Sequence, residues 1–173
     1  MRRPLPALLV PALVVPALLA GCSSGSDGPG QVRVQVGPQD VDLQPTQGCV
    51  DGKRVRYETE APVLEVSPDA TITLTVPDAI AEQGWSVQVF DDRLEEQLGE
   101  VEVPAGEARF DGIGTSDVVP PGYYLVIVEK KGGDCGEWSA AWPVGIVRAG
   151  GDLGTTESPS ATSPSGCARL SPR

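Results

Sequence analysis

The chain has 173 residues, 40% of them hydrophobic, and Asp+Glu 24 against Lys+Arg 13 gives it a formal net charge of −11. So acidic a chain repels phosphate backbones, which excludes nucleic acid as an expected partner. It contains no histidine, so a Ser-His-Asp triad, a Cys-His pair and an imidazole-ligated metal are all excluded.

Residues 1–21 read as an export leader. Arg2 and Arg3 form its positive start, an apolar stretch runs to Leu19, and the small residues Ala20 and Gly21 precede Cys22. Pro4, Pro6, Pro11 and Pro16 interrupt the stretch, which is too short for a stable membrane span. Leu19-Ala20-Gly21-Cys22 resembles the lipobox of bacterial lipoproteins. The resemblance implies cleavage between Gly21 and Cys22 and a diacylglycerol on the Cys22 thiol, with no other cofactor. The alternative is an ordinary cleaved signal in which Cys22 is incidental. Each buried CH₂ of an acyl chain such as palmitate contributes about 0.8 kcal/mol, so a doubly acylated cysteine is held stably on the membrane. Residues 22–30 follow as the lipidated cysteine and a flexible Gly/Ser tether, whose Ser23–Gly30 stretch reaches at most about 28 Å. The expected location is the extracytoplasmic face of the cell membrane, lipid-anchored and non-spanning.

Residues 31–149 carry the alternation of strands with one wet face. Val32, Val34 and Val36 share one parity, as do Ile72, Leu74 and Val76, then Trp85, Val87 and Val89, then Val101 and Val103. Weaker candidates are Val41/Leu43, Val55/Tyr57, Leu64/Val66 and Ala108/Phe110. Tyr123 to Val128 is apolar at both parities, which predicts a central strand covered on both sides. Trp138, Ala140, Trp142, Val144 and Ile146 fall on one face of the last strand. Asp51-Gly52 is a two-residue hairpin signal, and Pro- and Gly-rich turns separate the other runs. Asp78–Gly84 and Asp91–Leu98 each have the pattern of a single capped helical turn.

Seven to nine short strands spaced roughly 8–12 residues apart predict an all-β, immunoglobulin-like antiparallel sandwich. A small closed β-barrel is the alternative. Trp85 opening a middle strand and Tyr123-Tyr124 opening the penultimate one resemble landmarks of the sandwich class. Residues 150–173, rich in Gly, Ser, Thr and Pro, predict a disordered tail, solvated or carrying O-linked sugar on its Ser/Thr residues.

Of the four cysteines, Cys22 is assigned to the lipid, leaving Cys49, Cys135 and Cys167. In an exported chain Cys49–Cys135 is the economical disulfide, between two loop positions and outside the sheet-to-sheet place an immunoglobulin bridge takes. It closes a loop of roughly 87 residues, a contribution on the order of 4 kcal/mol. Cys167 is left unpaired in the tail.

Candidate chemistry is sparse. Asp91, Asp92, Glu95, Glu96, Glu100, Glu102 and Glu107 crowd one edge, where they serve as a solvated strand face, a cation site or a landing surface for a basic partner. No calcium-loop spacing is present, and no metal site is expected. Carboxylate pairs suited to glycoside hydrolysis are unavoidable among so many acids and carry no specificity. Gly112-Ile113-Gly114-Thr115-Ser116 reads as a glycine-rich loop without the helix a phosphate cradle needs. Ser116-Asp117 and Ser139 lack a base. Trp138 and Trp142 are the candidate walls of a ligand groove, against a core role that parity favours for Trp85 and Trp142.

Val50-Asp51-Gly52-Lys53-Arg54-Val55-Arg56-Tyr57, with Pro45-Thr46-Gln47-Gly48-Cys49 before it, resembles a family of small lipoproteins of high-GC Gram-positive bacteria whose function is uncharacterised. Gly114–Leu125 and Trp142-Pro143-Val144-Gly145 extend that resemblance over residues 31–148. It implies an envelope lipoprotein and brings no catalytic residues. The expected function is a non-catalytic binding or interaction module of the cell envelope, with a protein or envelope polymer as partner. The alternative is a carrier of a small ligand or envelope polymer in an aromatic groove.

Overall fold

The computed structural model describes residues 29–130 and 134–154. The expected leader, the lipobox-like segment with Cys22, most of the expected tether, and residues 155–173 with Cys167 lie outside the described residues. Alternation of Val32, Val34 and Val36 with Arg33 and Gln35 produces β1 (Val32–Val36), whose valines are fully buried and whose polar side chains are exposed. β2 (Gln39–Leu43) folds back on it through a turn at Gly37. β3 (Gln47–Val50) and β4 (Lys53–Arg56) form the second hairpin. Asp51 and Gly52 both take positive φ there, 50° and 72°, which is what a two-residue turn matching the strand twist requires. β5 (Val63–Glu65) and β6 (Thr71–Thr75) precede α1 (Asp78–Gln83), the one helix among the described residues. β7 (Trp85–Phe90), β8 (Gln97–Val103), β9 (Arg109–Gly114), β10 (Gly122–Glu129) and β11 (Ala140–Val147) complete the chain order.

The eleven strands form two sheets. One runs β2-β1-β6-β9. The other runs β4-β3-β11-β10-β7-β8, with β5 also pairing β11. Neither sheet closes on itself, so the fold is a β-sandwich and not a barrel. The strand count exceeds the expected seven to nine because the weak candidates at Val41/Leu43, Val55/Tyr57, Leu64/Val66 and Ala108/Phe110 lie in or beside β2, β4, β5 and β9, and the four-residue β3 adds one more. β5 runs parallel to β11, the one departure from antiparallel pairing. From β6 onward the winding follows the immunoglobulin-like plan. β6 and β9 are neighbours in one sheet, while β7, β10 and β11 lie side by side in the other. Tyr123 opens β10 and its hydroxyl donates to the Thr115 carbonyl eight residues upstream (3.3 Å), the corner contact of that class. Burial pushes the Tyr123 hydroxyl pKa up to about 12.

The core lies between the sheets. Val32, Val34, Val36, Ile72 and Leu74 face Val87, Leu125, Ile127, Val144 and Ile146. The two tryptophans of even burial, Trp85 and Trp142, are both fully enclosed. Trp85 donates its indole N–H to the Glu107 carbonyl (2.7 Å) and meets Phe110 edge-on. Trp142 donates to the Gly30 carbonyl (2.9 Å), which ties the start of the domain to its last strand.

Three expectations are corrected. Asp91–Leu98 makes no helical turn: it is a loop leading into β8, with Asp91 Oδ1 accepting from the amides of Glu95 (2.8 Å) and Glu96 (3.2 Å). Gly112-Ile113-Gly114 is not a loop but lies in β9. The ordered packing runs past residue 149, because Leu153 is buried over Gly145, where any side chain would collide with it. Gly145 is there to admit it. Among the described residues no helix is long and apolar enough to cross a membrane.

Candidate functional site

The outer face of the six-strand path β4-β3-β11-β10-β7-β8 carries a groove beside the sequence-predicted Trp138. The alternate residues of β10 and β11, Val126, Val128, Ala141 and Pro143, point away from the core and floor this groove of ≈ 340 Å³. Phe90 and Leu94 form one wall, Trp138 another, and Thr46, Gln47 and Gln88 supply its polar groups. Among the described residues no second layer covers this face. The two-sided apolarity of β10 therefore marks a groove and not, as expected, a strand covered on both sides.

Trp138 is placed by the loop that precedes β11. The Cys49–Cys135 disulfide, with Cα atoms 6.0 Å apart, fastens that loop to β3. Cys49 sits within β3 and not in a loop as expected. Arg54 of β4 adds two further ties: its guanidinium donates to the Cys135 carbonyl (2.8 Å) and its carbon lies 4.1 Å from the centre of the Trp138 ring. A cation over an indole face is worth about 0.5–1 kcal/mol where water is near. The wall is thus held by one covalent bond and one stacked cation before any ligand arrives. On the opposite side Leu94 sits in the left-handed region (φ 59°), at the turn that Asp91 caps, and so projects at the groove. Burial acts to raise the Asp91 carboxyl, but the amides of Glu95, Glu96 and Arg93, with the Arg93 charge, outweigh it and keep it ionised below the ordinary carboxylate range.

The structure separates the two tryptophans predicted to share a groove. Trp142 faces the core, and its neighbours Ala141 and Pro143 face the groove, so only Trp138 lines it. A period-2 reading puts residues 138 and 142 on one face, but β11 begins at Ala140 and Trp138 belongs to the loop. Arg54, Phe90, Leu94, Gln47 and Gln88 were not legible as site residues. They come from four separate segments, and the only sequence signal was the apolar second parity of β10.

The remaining candidates resolve into structural roles. Ser139 donates its hydroxyl to the nearly buried Glu129 carboxylate. Asp117 Oδ2 accepts from the Gly114 amide (2.6 Å). The acidic edge is dispersed: Asp91 caps its turn, Glu107 meets Trp85 through its carbonyl, and Glu100 and Glu102 stand on the outer face of β8 beside Lys130. Among the described residues no three acidic or cysteine side chains converge as a metal-binding group.

Residues 27–118, just over half of the chain, match the family described as "Protein of unknown function (DUF2771)". The match ends before β10, so it includes β1–β9 and leaves Trp138, Cys135 and the groove floor outside it. No curated protein and no solved structure matches the chain.

Proposed function

We propose, from the premise that the chain belongs to the DUF2771 family of proteins of unknown function, that it is a lipid-anchored, non-catalytic binding module on the outer face of the cell membrane. The observation that supports binding most strongly is the groove walled by Trp138, because its wall is fixed in advance by the disulfide and by Arg54. Apolar area with a few placed amides, on the rigid centre of a sheet, is the usual composition of a binding site. The anchor rests on the Leu19–Cys22 lipobox and the positive, apolar leader before it. The non-catalytic part rests on the lack of histidine and on the engagement of Ser139 and Asp117 in structural hydrogen bonds.

A second reading, a carrier of a small ligand or envelope polymer, is favoured by the groove's dimensions and by Gln47 and Gln88 on its walls. Their amides offer both donors and acceptors, which suits a polar chain bearing hydroxyls or peptide groups.

Tryptophan emission tests groove binding directly. Trp85 and Trp142 are buried, so a ligand in the groove changes the emission of Trp138 alone. Titration of the full chain in detergent micelles with muropeptides, oligosaccharides, short-chain phospholipids and extended peptides is expected to give a saturable shift with at least one class. Trp138→Phe is expected to abolish the shift while leaving the fold intact. Emission flat across the panel contradicts groove binding.

A further inference from the structure

A second surface lies at the edge of the molecule, where the sandwich opens between the edge strands β8 and β9. The sheet ends at β8, and among the described residues no strand pairs with its outer edge. Beside that edge runs a cleft of ≈ 480 Å³, lined by Leu98, Val101, Ile113, Val118 and Val119 among others. Val101 has the parity of the core, opposite Val87, yet is 37% exposed because β9 does not close over it. Leu98, the extra residue of a bulge opposite Val89 and Phe90, is 42% exposed, and Val119 is 92% exposed. Exposed apolar side chains are common singly. Here three line one cleft, along an unpaired strand.

The loop that presents Val119 is held in place. Arg148 Nη2 donates to the carbonyls of Val118 (2.6 Å) and Pro120 (2.8 Å), with the Val119 carbonyl sharing one of its two protons at 3.2 Å. One guanidinium therefore engages three consecutive carbonyls, which orders the backbone that presents the exposed Val119. Such preorganisation lowers the ordering cost of association.

The opposite parity of β8 carries charge. Glu100 and Glu102 lie on its outer face, where they share the single ammonium of Lys130. Glu95 and Glu96 precede them in the exposed loop. A strand added to β8 would alternate in step with it. One set of its side chains would enter the apolar cleft and the other would stand beside Glu100 and Glu102. A second copy of this chain fits poorly, since pairing β8 with itself sets glutamates opposite glutamates in a chain of net charge −11.

We propose that the β8 edge and its cleft receive an extended segment of a basic partner protein by strand addition, with alternating aliphatic and Lys/Arg side chains. Main-chain hydrogen bonds to β8 supply affinity, the cleft reads the aliphatic positions, and Glu100 and Glu102 select the basic ones. The surface does not include Trp138, and it meets the groove only where Glu100 accepts from Gln88 (3.4 Å).

The test uses the full chain in detergent micelles and a fluorescein-labelled peptide of four Lys-Val repeats, followed by anisotropy. Saturable binding is expected, weakened at least 10-fold by Val119→Asp or by joint Glu100→Gln and Glu102→Gln substitution, and unchanged by Trp138→Phe. Val119 is almost wholly exposed, so its replacement does not disturb the core, and circular dichroism confirms the fold of each variant. A peptide N-methylated at alternate residues is expected to lose binding. Equal binding of the N-methylated peptide, equal binding of a Glu-Val repeat, or no binding by a folded chain would each overturn the proposal. So would a sedimenting dimer that Val119→Asp dissociates, since it would assign the edge to a second copy.

Discussion

Joint replacement of Cys49 and Cys135 by alanine is expected to lower the stability of the domain by about 4 kcal/mol. The bond spans a sequence separation of 86 residues, and the entropy it removes from the unfolded chain grows with the logarithm of that span. It ties β3 to the loop between β10 and β11, strands that the fold must bring together across most of its length. For a domain of this size the loss corresponds to a fall in melting temperature of roughly 10–20 °C. Urea denaturation measures it, and the wild type in excess reductant is expected to overlay the double variant. A local consequence accompanies the global one. Released from Cys49, the Cys135 loop loses its covalent tie to β3 and keeps the Arg54 contacts, so Trp138 is held less firmly and groove affinity is expected to fall. A denaturation midpoint unmoved by reductant would show that the bond does not constrain the unfolded chain.

The other large effect is expected at Trp85. Its side chain is fully buried at the start of β7, its N–H is bonded to the Glu107 carbonyl, and its ring meets Phe110 of the opposite sheet at a centroid distance of 6.3 Å. One residue therefore joins both sheets and the β8–β9 turn. Trp85→Ala leaves a cavity that the surrounding strands cannot collapse to fill, and is expected to cost about 3–5 kcal/mol. Trp85→Phe retains most of the packing but leaves the Glu107 carbonyl without its donor, for about 1–3 kcal/mol. Against a total of about 5–15 kcal/mol for a typical domain, the alanine variant is marginal and the phenylalanine variant is not. Denaturation midpoints that rank alanine and phenylalanine together would mean that the ring's volume contributes nothing.

Strand positions were legible because hydrophobic alternation is a local property. Val32, Val34 and Val36, or Ile72 and Leu74, sit at the core for the same reason that they share a parity. Asp51-Gly52 declared its hairpin through backbone chirality, and the disulfide followed from counting thiols in a chain read as exported. What failed depended on what lies beyond a strand. The second apolar face of β10 reads identically whether another layer covers it or a groove opens there, and only the arrangement of Trp138, Leu94 and Phe90 decides. Trp138 itself was assigned to the strand of Trp142 because period-2 spacing continues across a strand's start without marking it. The exposed Val101 has the sequence environment of a core valine. Its exposure follows from its place on an edge that, among the described residues, has no neighbouring strand, which no local pattern records. Leu153 was lost in a polar tail because a single buried residue has no period at all.

The most direct test of a tethered binding module is photocrosslinking in intact cells, with a benzoylphenylalanine replacing Gln47 at the groove and, in a control, Asp40 on the distant edge strand β2. The full chain carrying Cys22 is expected to fractionate with the membrane and to give a saturable adduct, protein or envelope polymer, from the groove position only. Cys22→Ala is expected to remove it from the membrane fraction and to abolish the adduct. Equal adducts from both positions, or a Cys22→Ala chain that stays with the membrane, would contradict the account.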